Sequence, residues 1–431
     1  MRLDMLKLGN YRQFESFEIT FDPKLTVLAG INGAGKTSIL QAASVALGTF
    51  LIGFDALHGQ GISLQDVHRK CHELGEDVDV QEQYPVVVEA VGECGGREVH
   101  WSRVLSHRRG KLSWRQSREL LEITRGYQRR LQAGDVSLRL PYLAYYGVGR
   151  SLGQAKGKAR VILSPNSRLH GYQGSLEGTV NERLLTEWLM RMAIKRSQSE
   201  DYPIGYKVVA RAMCRCFERI TGHEGVEVVL NADSLGLDML YHMADGSRRR
   251  ESLSQLSDGY RSILGLVLDM AYRMSILNPQ LKEHVLEETS GVVLIDEIEQ
   301  HLHPAWQQRI LEDLQAIFPR IQFIVTTHAP SVIHMVHSHN LRLFSELEVK
   351  EPAGEVYGKD TNLIISKVMG GQERPEVIKE LFGQYYEALQ KRRLSEAEER
   401  LNDLRLVLGP NDAELARCGT MLSLERFREG T

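Results

Sequence analysis

Three kinds of hydrophobic spacing recur along the chain. Period-two alternation marks residues 16–21 and, around a Gly95-Gly96 turn, residues 85–105, so these segments predict strands and a hairpin. Short, largely apolar runs at 25–29, 291–295 and 321–326 predict strands; 291–295 is purely aliphatic, the pattern of a central buried strand, and 321–326 reads as the next buried one. Spacing of three and four through Ile39, Leu40, Ala43 and Leu47 predicts a helix, directly after the 25–29 strand and a glycine-rich turn at 30–35. Strands are also expected from Pro141 to Tyr146 and at 226–231 and 237–243, the last two joined by a turn at Asp233-Ser234. Helices are expected at 115–133, 180–198, 207–221, 257–274, from Pro304 to about residue 318, and in a charged tail at 375–390 and 395–408. Residues 151–165, rich in Gly, Lys and Ser, read as a mobile loop. Strands that alternate with helices in this way place the chain in the α/β class.

Composition narrows the function classes. The 431 residues carry 53 Lys+Arg against 56 Asp+Glu, a net charge of −3, so any nucleic-acid surface must be a local patch rather than a global field. Cysteines stand at 71, 94, 214, 216 and 418, an odd set without framework spacing, which reads as reduced thiols in a cytoplasmic protein. Cys214 and Cys216 read as packing residues on different helix faces, not as zinc ligands. No stretch approaches the roughly 18 apolar residues of a membrane helix, and the N-terminus Met1-Arg2-Leu3-Asp4 has no apolar signal region.

The candidate chemistry begins at Gly30-Ile31-Asn32-Gly33-Ala34-Gly35-Lys36-Thr37, which fits G-x-x-x-x-G-K-[ST] without a departure. Glycines let the backbone turn its N–H groups inward around an anion, and the following helix aims its positive end at the same point. Lys36 can then reach β- and γ-phosphates, and the Thr37 hydroxyl can ligate Mg²⁺. A second site candidate is Asp296-Glu297, just past the buried strand 291–295, at the kind of strand end where open α/β sheets bind ligands. Asp296 would hold Mg²⁺ and Glu297 would polarise an attacking water. One strand later, Thr326-Thr327-His328-Ala329-Pro330 offers His328 as a γ-phosphate sensor.

A third loop, Leu256-Ser257-Asp258-Gly259-Tyr260-Arg261-Ser262, opens the 257–274 helix. It resembles the signature of ABC ATPases, with Asp258 where the common form has its first glycine, and the order 30–37, 256–262, 296–297, 328 is the ABC order. Tyr11-Arg12, Phe14, the run 144–150 ending in Arg150, Ser167-Arg168-Leu169-His170-Gly171-Tyr172, Leu277-Asn278-Pro279, the run 295–304, the tail run 357–362, Met369-Gly370 and Arg374-Pro375 are similar to the AAA family ATPases of bacterial defence islands, the Septu and retron-associated type.

That resemblance implies a P-loop fold of ABC type, close to a RecF or SMC head, with a mixed β-sheet lobe, a helical lobe and a helical C-terminal tail. Residues 1–150 would form one ATPase lobe, 151–250 an inserted segment, 251–350 the second lobe and 351–431 the tail. The nucleotide set would be Gly30, Asn32, Gly33, Ala34, Gly35, Lys36, Thr37 and Ser38, with Arg12 added from the RecF-like relatives. Ser257 and Gly259 would cap the γ-phosphate held by a second subunit, so two copies would sandwich ATP and Mg²⁺, and residues 299–301 would talk across the pair. His301 and His303 fall to a structural role in this context. The long heptad arm of SMC proteins is missing from the pattern, and no HNH-type or other nuclease constellation is present. Any cutting of DNA would therefore come from a partner nuclease, HNH-type in the systems resembled. Basic runs at 107–111, 125–130 and 248–250 could form a DNA-facing strip. A RecF-like repair clamp is the alternative reading.

Overall fold

Strands that are aliphatic on both faces must be covered on both faces, and here they pair with one another. In the computed structural model, Leu25–Gly30, Ile321–Thr327, Gly291–Ile295 and Tyr142–Tyr146 lie side by side and parallel, and nearly every residue in them is buried. Leu341–Ser345 extends the sheet in parallel beyond Leu25–Gly30, and Glu348–Lys350 closes that edge antiparallel. The register pairs Ile295 with Tyr146 and with Val325, and Thr327 with Ala29. The C-terminal ends of four strands thus meet along one edge of the sheet.

The structure describes all residues except 75–76, 111–112, 114, 151–166, 200, 232–235, 244, 346–347, 369–373, 410 and 430–431. The expectations for the 151–165 loop, the Asp233-Ser234 turn, Met369-Gly370 and Lys111 lie outside the described residues.

A second, antiparallel sheet has the order Phe14–Thr20, Arg2–Tyr11, Val86–Cys94, Arg97–Leu105. Helix Lys36–Ile52 packs against both sheets, which is why its sequence is apolar nearly all round rather than on one stripe. Trp101 donates its Nε1–H to the Ala46 carbonyl at 2.9 Å, tying the second sheet to that helix. The hairpin Arg69–Leu74 with Asp77–Glu82 forms a separate two-stranded sheet.

Helices Glu182–Ser197, Ile204–Thr221 and Asp258–Leu277, with a three-stranded sheet of Glu227–Asn231, Gly236–His242 and Arg248–Ser252, make the helical part. The 20-residue Asp258–Leu277 is the longest helix among the described residues, so none of these holds an SMC-type arm. It carries a buried ion pair, Arg273 to Asp269 at 2.8 Å, extended by Tyr146 to Asp269 and Tyr142 to Tyr146, both 2.7 Å. Arg273 also donates to the carbonyls of Gly171 and Gln173. Gly171 fits only because it lacks a side chain: a Cβ there would come within 2.5 Å of Leu277 and 2.9 Å of the Arg273 carbonyl. Arg168 caps the same helix end by donating to the Leu277 carbonyl, and Asn278 clamps both polar groups of Leu140. The runs 167–172 and 277–279 are therefore the buckle between this helix and strand Tyr142–Tyr146.

The expected helix from Pro304 to residue 318 is instead two pieces, Pro304–Gln307 and Ile310–Ile317. The Arg309 N–H closes onto Trp306, three residues back, and this tighter turn interrupts the α-helical ladder. Cys216 is buried and Cys214 half-buried, both as free thiols.

The chain divides into two compact units, Met1–Thr361 and Asn362–Thr431. The second contains helices Glu376–Gln390, Leu394–Leu408 and Ala413–Glu429 around its own core of Phe382, Tyr385, Leu401, Leu404, Leu415 and Leu422. Among the described residues, no helix is long and apolar enough to cross a membrane.

Candidate active site

Because the strands are parallel, the segments that follow them emerge at one edge. These are the 30–35 loop, Asp296-Glu297, His328 and the run Gly147 to Arg150. The loop takes the shape its glycines permit. Gly33 has φ 83° and Gly35 φ 97°, and a Cβ on Gly35 would lie 2.3 Å from Gln13 Nε2 and 2.6 Å from the Phe14 ring. Gly30 is equally constrained, since a Cβ would stand 2.5 Å from the Phe344 carbonyl. Lys36 and Ser38 are buried, and Ser38 donates to Gln13 Oε1 at 3.0 Å. Lys36 folds back to donate to the carbonyls of Gly30 at 2.7 Å and Ile31 at 2.8 Å. Burial pushes its amine below the ordinary range, and the carboxylates of Glu299, Asp296 and Glu297 oppose that shift.

The two sequence-distant metal candidates touch. Thr37 Oγ1 donates to Asp296 at 2.9 Å and 3.1 Å, across 259 residues of chain. Asp296 is almost fully buried and also accepts from Thr326 Oγ1 at 2.6 Å, while its backbone N–H donates to the Tyr146 carbonyl. Thr326 in turn accepts from the Glu297 N–H at 2.8 Å. Hard oxygen donors, one hydroxyl and one carboxylate at a phosphate loop, are the donor set that Mg²⁺ prefers.

Glu297 has φ 46°, a left-handed conformation that is costly for a side chain of this kind and that recurs at functional sites. Two side-chain contacts hold it. One is the Thr326 hydroxyl; the other is Arg150, whose guanidinium forks to the carbonyls of Asp296 and Glu297, the latter at 2.7 Å. Burial drives Arg150 down to about 10, against the pull of Glu299, Asp296 and Glu297. His328 donates its backbone N–H to Glu299 Oε1 at 2.7 Å and sets its Nδ1 3.0 Å from the same oxygen, with the ring half exposed.

Arg12 sits to one side, its Nε and Nη2 both 2.8 Å from Asp66 Oδ1, and among the described residues it donates to nothing in the 30–37 loop. Gly259 packs against His301 and Trp306. A Cβ on Gly259 would stand 2.7 Å from the His301 carbonyl and 3.1 Å from Trp306, and Ser257 is exposed at the start of its helix. His301 takes φ 63°, and His303 Nδ1 accepts from the Ala305 N–H at the start of a helix. Among the described residues, no group of three His, Cys, Asp or Glu forms a metal cluster.

Sequence reasoning did not assign roles to Arg150, Thr326 or Gln13. The rule that ligand groups gather at the carboxyl ends of parallel strands points to the first two, since both follow or end a strand of the central sheet. Nothing local in the sequence marks Gln13.

A family model described as an AAA domain matches residues 5–203, and a second AAA-domain model matches residues 177–334. "Retron Vc95 probable ATPase" of Vibrio cholerae is 26% identical over 91% of this chain and 84% of its own length. "Septu protein PtuA" of Bacillus mycoides is 29% identical over 47% of this chain, and the match spans 28% of that protein. "DNA replication and repair protein RecF" of Heliobacterium modesticaldum is 23% identical over 76% of this chain and 93% of its own length. The two AAA-domain matches run together from residue 5 to residue 334, and the chain is an ATPase similar to the retron and Septu ATPases.

Proposed function

We propose that this ATPase works as a nucleotide-held pair that controls a separate nuclease in anti-phage defence. One observation carries the site reading: the Thr37–Asp296 hydrogen bond joins the phosphate loop to the acidic strand end. Lys36 and the loop N–H groups bind the phosphates of ATP, with Asn32, Ala34 and Ser38 lining the same turn. Thr37 and Asp296 would hold Mg²⁺, which supplies neutralisation of the phosphate charge when bound. Glu297 accepts a hydrogen bond from the attacking water, orienting it in line with the γ-phosphate and taking up its proton as the P–O bond forms. The bond to the leaving β-phosphate oxygen breaks in the same displacement, giving ADP and phosphate. His328, steadied by Glu299, donates to the γ-phosphate and loses that partner after release. Ser257 and Gly259 of a second copy complete the cage, so ATP joins the two copies and hydrolysis separates them. Among the described residues, Arg12 is held by Asp66 and has no hydrogen bond to the loop.

The defence role is supported by the relatives named for retron and Septu systems. A RecF-like repair clamp is the second reading, supported by a RecF relative matched over 93% of its length. The basic run 248–250 adds little to it, because Arg248, Arg249 and Arg250 pair with Glu227, Glu251 and Asp238. Glu297→Gln tests the site: it should keep ATP, lose phosphate release and accumulate as a pair on a sizing column. Normal phosphate release from that variant removes the base assignment. Copurification with a nuclease encoded beside this gene separates defence from repair.

A further inference from the structure

The helix Asp258–Leu277 begins without its usual fastening. Ser257 stands at the N-cap, where a serine ordinarily accepts a backbone N–H, yet its side chain makes no cap hydrogen bond and is exposed. Asp258 is exposed too and ion-pairs with Arg261 of the same first turn. Gly259 has no side chain to pack. The anchorage of this turn therefore comes from its neighbours.

The chief neighbour is Trp306, half-buried beside it. A Cβ on Gly259 would stand 3.1 Å from Trp306 Cζ3, so the edge of the indole lies over the glycine. The next residue, Tyr260, sets its ring 4.5 Å from the indole, centroid to centroid, at an angle of 50°. Tyr260 also meets Phe217 at 5.6 Å, and Phe217 meets Tyr241 at 5.1 Å. Packed rings thus run from helix Ile204–Thr221 and strand Gly236–His242 to the helix start and on to Trp306.

Trp306 is itself braced. Its backbone N–H donates to the His303 carbonyl at 2.8 Å, and Gln307 Nε2 donates to the Leu302 carbonyl at 2.9 Å. Gln307 Oε1 accepts from Ser331 Oγ, three residues after His328. The Gln300 N–H donates to the Glu297 carbonyl and the Leu302 N–H to the Glu299 carbonyl, both at 2.9 Å, which carries the bracing back to the acidic strand end. One indole therefore lies between the loop offered to a second copy in the proposed pair and the groups that serve the chain's own nucleotide.

We propose that Trp306 is a positioning residue for ATP hydrolysis and acts on the nucleotide of the other copy: by holding Gly259 and Tyr260, it presents Ser257 to the γ-phosphate bound across the pair. This rests on the nucleotide-held pair proposed above. The Ser257 oxygen caps nothing in its own helix, which leaves it free to be given away. The indole supplies the rigidity that the uncapped turn lacks.

The test is steady-state phosphate release. Trp306→Ala should turn over ATP about tenfold more slowly, the measure of one lost ring pair, with an unchanged Kd for a fluorescent nucleotide. Trp306→Phe should keep most of the rate, because a ring still meets Tyr260. Tyr260→Leu removes the same contact from the other side and should slow turnover equally, so the reading does not hang on one variant's folding.

Mixing decides which nucleotide the indole serves. A Lys36→Met chain loses its grip on phosphate but keeps its 257–259 loop, so in a mixed pair it can cap the ATP held by a Trp306→Ala or Tyr260→Leu chain. At equal mixing, turnover should rise to about a quarter of native, since about half of the pairs are mixed and each has one complete site. Ser257→Arg mixed with Lys36→Met should recover in the same way. Recovery with Ser257→Arg but not with the Trp306 or Tyr260 variants means that the indole serves its own chain's Glu297 or His328; the proposal is then overturned and the pair stands. If no mixture recovers, the pair reading falls and the proposal with it. Native turnover in Trp306→Ala, an equal loss in Trp306→Phe, or weakened nucleotide binding in a folded Trp306→Ala chain overturns it too.

Discussion

Replacing Arg150 with Ala should slow ATP turnover while sparing ATP binding. Its guanidinium makes two charge-assisted bonds, to the carbonyls of Asp296 and Glu297, and each such bond contributes about 1.5–3 kcal/mol. Burial of the charge, visible as the fall of its pKa to about 10, offsets part of that gain. What remains opposes the strain at Glu297, whose φ of 46° costs about 1–3 kcal/mol. Once the fork is removed, Glu297 relaxes toward an ordinary backbone and its carboxylate leaves the line of attack. A net 1.4–2.8 kcal/mol on the barrier, about the strain released, corresponds to a roughly 10- to 100-fold fall in kcat. ATP affinity rests on the 30–37 loop and should change by no more than about threefold. Phosphate release under saturating ATP, with a fluorescent nucleotide for Kd, measures both quantities. Arg150→Lys should fail to rescue, because an ammonium cannot fork between two carbonyls. A folded Arg150→Ala protein with kcat within about twofold of native, or with weakened binding and unchanged kcat, refutes the reasoning.

Four further outcomes follow from the same geometry. Thr37→Val removes both the contact with Asp296 and the proposed metal donor, so the magnesium concentration needed for half-maximal turnover should rise about tenfold or more, read from a Mg²⁺ titration. Gly259→Ala drives a Cβ to 2.7 Å from the His301 carbonyl, so pair formation with ATP should fail while each copy still binds ATP, as sizing and filter binding report. Asp269→Asn leaves Arg273 charged and buried without its partner, costing about 3–5 kcal/mol in a thermal or urea melt. Burial lowers the Lys36 pKa in the free protein, and phosphate binding needs the charged form. ATP affinity should therefore be full below that lowered pKa and fall as pH rises through it, short of the ordinary lysine range. Lys36→Met should remove this slope from a series of Kd values.

The parts of the fold that read directly from the sequence are those whose pattern is local. The aliphatic strand at 291–295, the largely apolar strand at 321–327, the glycine loop and the helix after it each depend on neighbours in sequence. Strand Arg2–Tyr11 escaped because a bulge between Leu3 and Met5 breaks its period: Leu3, Leu6 and Leu8 are buried at spacings of three and two. Hairpin 69–82 escaped because its one alternating stretch, Asp77-Val78-Asp79-Val80, is only four residues long, and no residue of either strand is buried in a core. In the site, the types and order of Lys36, Thr37, Asp296 and His328 were legible. The clamp on Glu297 was not, since Arg150 acts through backbone carbonyls that leave no mark on side-chain identity. The pair Asp269–Arg273 has the i, i+4 spacing of a solvated surface pair and yet lies in the core, a difference set only by what packs over it.

That buried pair also governs how motion can pass through the molecule. Asp269 and Arg273 weld the middle of helix Asp258–Leu277 to Tyr142 and Tyr146, and Arg150 leaves the chain four residues after Tyr146. Ser257 and Gly259 at one end of the helix and the fork on Glu297 are therefore mounted on the same stiff lever. In the proposed nucleotide-held pair, a tilt of this helix on capture of a second copy would drag strand Tyr142–Tyr146 with it, so the arrival of a partner would reach Glu297 without any loop having to rearrange.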